Sequence, residues 1–327
     1  MGFTLLVLGP GTPGNDWENN LADDWSQRLR TQAPDVVVNV STSSEEAMTL
    51  VGEADAAFGN VAPELFQRAT KLKWIACPQA GPPSGYNHEA LVESDVVVTN
   101  ARGIFGDYIS AHIMAFVLAF ARRLHEYVPL QLQRRWRPGP RSVYLPEATA
   151  VIVGVGGIGT ETARLCAAFG MTVIGVDARR TEAPDGVEEM HPPEDLRRIV
   201  PRGDFVIVTV PETPETRGMF DSSVFRAMKP TAYFINIGRG ATVVLDDLTA
   251  ALEGKEIGGA ALDVFQVEPL PVDHPLWTAP GVLITPHVAA QDEPHLQERR
   301  TELLVDNCVR FNEGRPLRNV VDKAHWY

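Results

Sequence analysis

The sequence predicts an α/β protein built from two doubly wound parallel sheets, and three observations support this fold class. Polar or amphipathic stretches of helical length separate a first series of short apolar runs, at 3–8, 35–40, 54–58, 72–76 and 95–99. A second series of six such runs begins near residues 149, 172, 205, 232, 258 and 282. The chain of 327 residues is too long for one ordinary core and fits two domains.

The apolar runs have the composition of buried parallel strands. YFINI, GGAALDV and VLIT are short and rich in alanine or β-branched residues, as expected for strands covered on both faces. Six strands alternating with helices match a dinucleotide-binding fold. Two longer helical segments are expected as well, one from Asp107 to about Val128 and one from after His287 to about Asn312.

Composition excludes several classes of function. The chain is 44% hydrophobic and 22% charged, which is typical of a soluble globular protein, and its net charge of -13 argues against nucleic-acid binding. The N-terminal run FTLLVLG lacks a basic flank, and the longest apolar stretch, 109–121, is too short to cross a membrane. Cys77, Cys166 and Cys308 are scattered, so we expect no disulfide framework, no metal site and a reducing, cytoplasmic location.

A glycine pattern that can bind phosphate occurs twice, at 9–14 and at 154–159. Such a loop works by pointing backbone N–H groups and a helix N-terminus at an anion. Pro10 and Pro13 lack an N–H, so we interpret the first pattern as a turn. The second follows the strand AVIV and precedes helix-forming residues. It therefore predicts a dinucleotide pyrophosphate site formed by Gly154, Gly156, Gly157, Ile158 and Gly159.

The strand after this loop, TVIGV, ends in Asp177, 18 residues beyond Gly159. An acidic side chain there accepts hydrogen bonds from the adenosine ribose hydroxyls and repels a 2′-phosphate, which favours NAD over NADP. Arg179 and Arg180 follow at once and could instead bind a phosphate. NAD is therefore the expected cofactor, with NADP as the alternative.

An arginine, a glutamate and a histidine stand near the ends of successive strands in the second half of the chain. Arg239 ends NIGR, Glu268 follows ALDVFQV and His287 ends ITPH. A guanidinium can bind a carboxylate through two hydrogen bonds, and an imidazole can exchange a proton near neutral pH. A carboxylate beside the imidazole favours its protonated form. These residue types predict a hydride-transfer site for a 2-keto or 2-hydroxy acid.

The chain from about Gly81 to its end resembles the D-isomer-specific 2-hydroxyacid dehydrogenase family. The resemblance rests on AVIVGVGGIG, TVPETPETRGM, AALDVFQVEPLP and DHPLWTAPGVLITPH, which occur in the family's order and spacing. It implies that Arg239, Glu268 and His287 form the catalytic set of an NAD(P)-dependent D-2-hydroxyacid dehydrogenase. It also implies a flavodoxin-like substrate domain, 1–100 with 290–327, and a Rossmann dinucleotide-binding domain, 101–289.

The resemblance assigns further residues to ligands. Asp263 would contact the nicotinamide carboxamide, and the cofactor would also be lined by Arg179, Val210, Pro211, Thr216, Ile237 and His287. The substrate would be bound by Ala80, Gly81, Arg239 and His287. Pro82 and Pro83 depart from the family's glycine-rich substrate loop, because each removes a backbone donor. His112 is interpreted as a helix-packing residue.

Two questions of partners and function stay open at this point. The helix at 107–128 is apolar on more than one face, which predicts a homodimer, with burial inside a monomer as the alternative. The ending NVVDKAHWY resembles glyoxylate and hydroxypyruvate reductase-like members of the family. Phosphoglycerate-type and formate-type dehydrogenases are the rivals within the fold. A corepressor-like NAD(H)-binding protein with little turnover is the alternative from another class.

Overall fold

The structure is a computed structural model in which two compact units are formed by Met1–Phe105 with Asp292–Tyr327, and by Gly106–Gln291. It describes residues 2–9, 11–12, 15, 21–81, 86, 88–139, 141–290 and 294–325. The domains predicted from the sequence divide the chain at 100/101 and 289/290, whereas the compact units divide at 105/106 and 291/292.

The first unit contains a five-stranded parallel sheet. Its strands are β1 (Thr4–Leu8), β2 (Val37–Ser41), β3 (Ala56–Phe58), β4 (Trp74–Ala76) and β5 (Val97–Thr99). The helices between them are α1 (Trp25–Gln32), α2 (Ser44–Leu50), α3 (Pro63–Phe66) and α4 (Glu89–Glu93). The order β2-β1-β3-β4-β5 is that of flavodoxin-like sheets. All five strands predicted from the apolar runs are confirmed.

The second unit contains a seven-stranded parallel sheet. Its strands are β6 (Thr149–Val153), β7 (Thr172–Val176), β8 (Glu189–His191), β9 (Phe205–Val208), β10 (Tyr233–Asn236), β11 (Gly259–Leu262) and β12 (Val282–Ile284). Its helices are α5 (Gly106–Ala121), α6 (Leu124–Leu132), α7 (Gly157–Ala168), α8 (Leu196–Ile199), α9 (Ser222–Ala227) and α10 (Leu245–Glu253). The order β12-β11-β10-β9-β6-β7-β8 contains the Rossmann arrangement with β12 added at one edge.

Alternate residues of the second sheet enter two apolar clusters, one on each face. Val151, Val206 and Phe234 belong to one cluster, while Ile152 and Phe205 belong to the other. Strands buried on both faces explain why the runs read as continuously apolar. The six predicted strands are confirmed, and β8 was missed because Met190 is its only apolar residue.

The predicted single helix at 107–128 is wrong, because the structure divides it into α5 and α6. Arg122 and Arg123 interrupt the apolar run, and Arg123 adopts a left-handed conformation with φ 59°. The apolar residues of α5 are largely buried within its own unit, whereas α6 has no buried residue. Large exposed apolar side chains therefore lie on α6 rather than on α5, at Leu124, Val128 and Leu132.

The last helix, α11 (Pro294–Asn312), and the C-terminal tail belong to the first unit. The helix ends at Asn312, as predicted. Beyond it, Val320 forms an antiparallel bridge with Thr99, and the Val321 N–H donates to the Val98 carbonyl at 2.8 Å. The tail thereby covers the free edge of β5, where exposed backbone groups would otherwise invite pairing with another chain.

Candidate active site

Arg239 lies in the loop that follows β10, and the polar residues around it fix that loop. The Arg239 carbonyl accepts hydrogen bonds from Asn236 Nδ2 at 3.1 Å and from Thr242 Oγ1 at 2.7 Å. Its guanidinium Nη1 donates to the Gly238 carbonyl at 2.8 Å. Asn236 is fully buried at the end of β10. Its hydrogen bond to the Arg239 carbonyl therefore fixes the backbone of Arg239 relative to the strand.

Gly240 brings the loop after β10 against the loop after β11. A Cβ at this position would lie 1.8 Å from the carbonyl carbon of Phe265 and 2.2 Å from the nitrogen of Gln266. Any larger residue would push the two loops apart. This close approach explains the glycine after Arg239 and places the guanidinium where its charge acts on Glu268.

Glu268 and His287 form a hydrogen-bonded pair. Glu268 Oε2 lies 2.8 Å from His287 Nδ1, and Glu268 Oε1 accepts from the Phe265 N–H at 2.8 Å. Partial burial acts to raise the pKa of Glu268, but the hydrogen bonds from His287 and Phe265, and the charges of His287 and Arg239, together hold that pKa below its usual range. The ionised carboxylate makes Nδ1 the donor, which leaves Nε2 as the ring nitrogen that can exchange a proton with a ligand.

Asp263 holds the turn that carries His287. Its side chain is only 1% exposed and follows the buried strand β11. Oδ1 accepts from Thr285 Oγ1 at 2.5 Å and from the Val288 N–H at 2.9 Å, and Oδ2 accepts from the Ala289 N–H at 2.9 Å. The carboxylate thus binds residues on both sides of His287. Its expected contact with the nicotinamide carboxamide stays a prediction.

His112 of α5 reaches the same turn, which the sequence did not predict. Its Nε2 lies 3.1 Å from Thr285 Oγ1 and 3.8 Å from Asp263 Oδ1. The ring also packs edge-on against Phe116, with centroids 4.7 Å apart, as the interpretation of a helix-packing residue requires. Since 173 residues separate His112 from Thr285, no local pattern could have revealed the contact.

The second glycine loop lies between β6 and α7, where the strand order of the sheet reverses. Gly154 has φ 96°, and a Cβ on Gly159 would lie 2.0 Å from the Gly154 carbonyl oxygen. By contrast, a Cβ on Gly156 or Gly157 would meet nothing within 4 Å. Gly154 and Gly159 therefore allow the tight turn. Gly156 and Gly157 leave open space at the first turn of α7, a helix of 12 residues. This arrangement fits a pyrophosphate.

The first glycine pattern is described only in part. Gly9 and Gly11 pack against the end of β2, where a Cβ on Gly9 would lie 2.6 Å from the Ser41 carbonyl oxygen. Thr12 donates its N–H to the Gly9 carbonyl at 3.3 Å, which forms a turn. Pro10, Pro13 and Gly14 lie outside the described residues.

Asp177 at the end of β7 connects the glycine loop to the following turn. Its Oδ2 accepts from the Val155 N–H at 2.7 Å, and its Oδ1 accepts from the N–H groups of Arg179 and Arg180, both at 2.9 Å. The side chains of both arginines are exposed. One carboxylate and two exposed arginines therefore lie together just beyond β7, where the sequence predicts the adenosine ribose.

The loop after β9 packs against the glycine loop at 154–159 and against the loop after β10, which contains Gly238. Thr209 Oγ1 donates to the Gly154 carbonyl at 2.6 Å, and a Cβ on Gly238 would lie 2.5 Å from the Val210 carbonyl oxygen. Ile237 is 7% exposed. Val210 thus lies beside both the glycine loop and the loop of Arg239.

Further along, the predicted cofactor residues Pro211 and Thr216 belong to a self-braced turn. Thr216 Oγ1 donates to the Pro211 carbonyl at 2.7 Å and accepts from the Thr213 N–H at 2.8 Å. The Thr216 hydroxyl is thus used within the turn, and its predicted cofactor contact stays a prediction.

Ala80 and Gly81, predicted to bind substrate, lie in the first unit after β4. Asn100 Nδ2 donates to the Ala80 carbonyl at 2.7 Å, and buried Arg300 of α11 donates from Nε to the Pro78 carbonyl at 3.1 Å. These contacts fix the start of the loop. Pro82 and Pro83, which depart from the family's pattern, lie outside the described residues.

Within the described ranges, no group of three or more His, Cys, Asp or Glu side chains could hold a metal ion. The three cysteines are buried and unpaired with one another. Burial raises the pKa of the Cys166 thiol to about 12. Among the helices that the structure describes, none is long and apolar enough to span a membrane.

Comparison with known proteins decides the family. The sequence profile described as "D-isomer specific 2-hydroxyacid dehydrogenase, NAD binding domain" matches residues 114–289, which is more than half of the chain. The chain belongs to the D-isomer specific 2-hydroxyacid dehydrogenase family. The matched residues include the glycine loop, Arg239, Glu268 and His287, and the resemblance inferred from the motifs is confirmed.

Individual members of this family are similar over most of the chain. Glyoxylate/hydroxypyruvate reductase A of Serratia proteamaculans is 36% identical over 212 residues, so the match covers 64% of this chain and about two thirds (66%) of that relative. Glyoxylate reductase of Thermofilum pendens is 30% identical over 88% of both chains. The NADPH-dependent glyoxylate/hydroxypyruvate reductase of Sinorhizobium meliloti, solved with NADP and sulfate, has a TM-score of 0.82 and 28% identity, covering 99% of this chain and 100% of its own.

Proposed function

We propose that this chain reduces small 2-keto acids to D-2-hydroxy acids with a nicotinamide cofactor, and that glyoxylate and hydroxypyruvate are among its substrates. The observation that carries the proposal is the 2.8 Å pair of Glu268 and His287, beside a loop that presents Arg239, at the carboxyl ends of three adjacent parallel strands. Ligands of open α/β sheets bind at these ends. The printed names of the relatives supply the substrate class.

The glycine loop supports a dinucleotide as the cofactor. The open space at Gly156 and Gly157 admits a pyrophosphate to the free N–H groups of the first turn of α7. Gly154, Ile158 and Gly159 shape the loop, and Val210, Pro211, Thr216, Ile237 and Asp263 complete the proposed cofactor contacts. When bound, the reduced nicotinamide supplies the hydride.

The chain's own residues then bind the acid and move one proton. Arg239 binds the substrate carboxylate and stabilises negative charge that develops on the carbonyl oxygen. His287, protonated on both nitrogens, donates the Nε2 proton to that oxygen as hydride reaches the carbonyl carbon, and becomes neutral. In the oxidative direction, neutral His287 takes the hydroxyl proton back. Glu268 stabilises the imidazole in its protonated form.

The proposal also assigns the backbone N–H groups of Ala80 and Gly81 to the substrate carboxylate. The Ala80 carbonyl is bound by Asn100, and Arg300 binds the carbonyl of Pro78, which gives this short segment a fixed conformation before substrate arrives. A preformed loop binds an anion with less loss of conformational entropy.

For the cofactor, we propose NADH rather than NADPH. The Asp177 carboxylate is anchored by three backbone N–H groups and would repel a 2′-phosphate. Arg179 and Arg180 are the residues that oppose this choice. The ratio of kcat/KM for NADH and NADPH tests it, with Asp177→Ala expected to lower the ratio. A tenfold preference of the wild-type protein for NADPH, about 1.4 kcal/mol, would overturn the choice.

We further propose that the protein is a homodimer through α6 and the residues around it. The surface there includes Leu124, Val128, Leu132, Trp136 and Tyr144, all of them exposed. Trp136 is 99% exposed, and large apolar side chains left exposed in such number are typical of an interface. Light scattering is expected to give a dimer mass at micromolar concentration. A monomer under those conditions would remove this part of the proposal.

A keto-acid panel tests the activity. Oxidation of NADH and of NADPH is followed with glyoxylate, hydroxypyruvate, pyruvate and a bulkier keto acid, with His287→Ala as the control. The variant should lose about 10²- to 10⁴-fold in kcat while cofactor binding stays nearly intact. Slow turnover by the wild-type protein with every acid would instead support the corepressor-like alternative.

A further inference from the structure

A polar contact from α5 to the turn of His287 has no part in the mechanism above. We propose that His112 and Thr285 are positioning residues that act through Asp263 to hold the imidazole of His287 in place for proton transfer. This inference rests on the proposed function, which gives His287 its role. It concerns only residues of the second unit.

The hydrogen bonds between these residues have a defined direction. The two oxygens of Asp263 accept backbone N–H groups from Val288 and Ala289. Asp263 also accepts from Thr285, whose hydroxyl is the donor in that bond. The Thr285 hydroxyl proton therefore points at Asp263 Oδ1, 2.5 Å away. The Thr285 oxygen is then left to accept from His112 Nε2 at 3.1 Å.

His112 acts on Asp263 through Thr285 rather than directly. Its Nε2 is 3.8 Å from Asp263 Oδ1, which is longer than a hydrogen bond. The Asp263 side chain is 1% exposed and that of His112 is 21% exposed, so water competes weakly for these bonds. Hydrogen bonds in such surroundings are stronger and orient their partners more firmly.

The turn needs this support because of its backbone. His287 has φ 54°, a left-handed conformation that is unfavourable for a non-glycine residue. The Asp263 carboxylate bonds to Thr285 on one side of His287 and to Val288 and Ala289 on the other. Losing the orientation of Thr285 loosens one side of the turn. A misplacement of about 1 Å at a reacting group can lower a rate about 10²-fold.

Matched variants separate this role from simple packing. Thr285→Val removes the hydroxyl and keeps the shape, whereas Thr285→Ser keeps the hydroxyl. His112→Phe removes the donor and keeps a ring against Phe116. His125→Phe is the control, because the His125 side chain, although it belongs to a residue of intermediate exposure, is itself only 4% exposed and packs edge-on against Phe120 at 5.0 Å.

We expect Thr285→Val and His112→Phe to lower kcat about tenfold, with the KM for the cofactor little changed and a larger solvent isotope effect on kcat. Thr285→Ser should retain most of the wild-type kcat, and His125→Phe should retain all of it. Wild-type kcat and isotope effect in both test variants would overturn the inference. An equal loss in His125→Phe would also overturn it, since general loosening would then explain the data.

Hydrogen exchange distinguishes failure of this inference from failure of the proposed function. The N–H groups of Val288 and Ala289 bond to Asp263, so their exchange should become at least about tenfold faster in Thr285→Val and His112→Phe, but not in His125→Phe. This measurement needs no turnover. A wild-type protein without activity on any keto acid would contradict the proposed function, while unchanged exchange in the test variants would contradict the positioning role.

Discussion

Replacing Glu268 with glutamine removes one negative charge from the proposed site and preserves the shape of the side chain. In the wild-type protein Oε1 accepts the Phe265 N–H and Oε2 lies 2.8 Å from His287 Nδ1. A glutamine oxygen can keep one of these contacts. The variant therefore isolates the charge that favours protonated His287, the form proposed to donate a proton during reduction.

The size of the effect follows from distance and exposure. Two unit charges about 4 Å apart interact by about 1 kcal/mol in water and about 4 kcal/mol at an effective dielectric constant of about 20. The side chains of His287 and Glu268 are 52% and 37% exposed, so solvent screens most of the larger value. We expect a loss of about 1.4 kcal/mol, which corresponds to about tenfold in rate.

The assay is kcat/KM for reduction near neutral pH. For Glu268→Gln it should fall about tenfold, because the charge beside the imidazole is lost. Glu253→Gln, at an exposed position of α10, is the control. A wild-type kcat/KM in Glu268→Gln would refute the coupling of Glu268 to His287.

Three further changes test separate features. The pKa of Glu268 lies below its ordinary value of 4.5, so the Glu268–His287 pair should stabilise the fold above pH 4.5, and this stability should be lost as the pH falls through the lowered pKa. The difference in free energy of unfolding between wild type and Glu268→Gln, measured in urea, should therefore shrink as the pH falls. Arg239→Met should raise the KM for the keto acid and lower kcat together, because ground-state and transition-state contacts are lost at once; an unchanged KM would contradict carboxylate binding by Arg239. Gly156→Ala should have a free energy of unfolding within about 0.5 kcal/mol of wild type but should bind NADH about tenfold more weakly by fluorescence titration. Gly159→Ala should lose about 1–3 kcal/mol of stability, because its Cβ would lie 2.0 Å from the Gly154 carbonyl oxygen. Equal stability of the two glycine variants would contradict the division of roles in that loop.

Most of the fold could be predicted because burial on both faces leaves a strong pattern. Each of the eleven predicted apolar runs forms a strand, five in the first unit and six in the second. The strand that was missed, β8, is three residues long and lies at the edge of its sheet, where a continuous apolar run is not required. The break at Arg122 and Arg123 was missed because the apolar residues of α5 and α6 continue the same composition across it.

The candidate site, like the fold, could be predicted from the sequence only in part. Arg239, Glu268 and His287 could be named from motifs because each stands a few residues beyond a strand. The two glycine patterns could be told apart because the first contains prolines, which lack the N–H groups that a phosphate site needs. The support of the site could not be named. Gly240 is required by a contact with Phe265, and His112 reaches Thr285 across 173 residues, so neither role has a local signature.

The sequence by itself determined the parallel sheets, the glycine loop after β6 and the chemical types of the residues at the strand ends, because apolar periodicity and backbone freedom are properties of neighbouring residues. Only the tertiary structure decided which of those residues meet: that Glu268 bonds His287, that Asp263 binds both sides of the His287 turn, and that α5 ends at Ala121 with the exposed apolar side chains on α6. These outcomes depend on distances between segments far apart in the chain. Packing sets such distances, and the local pattern carries no record of them.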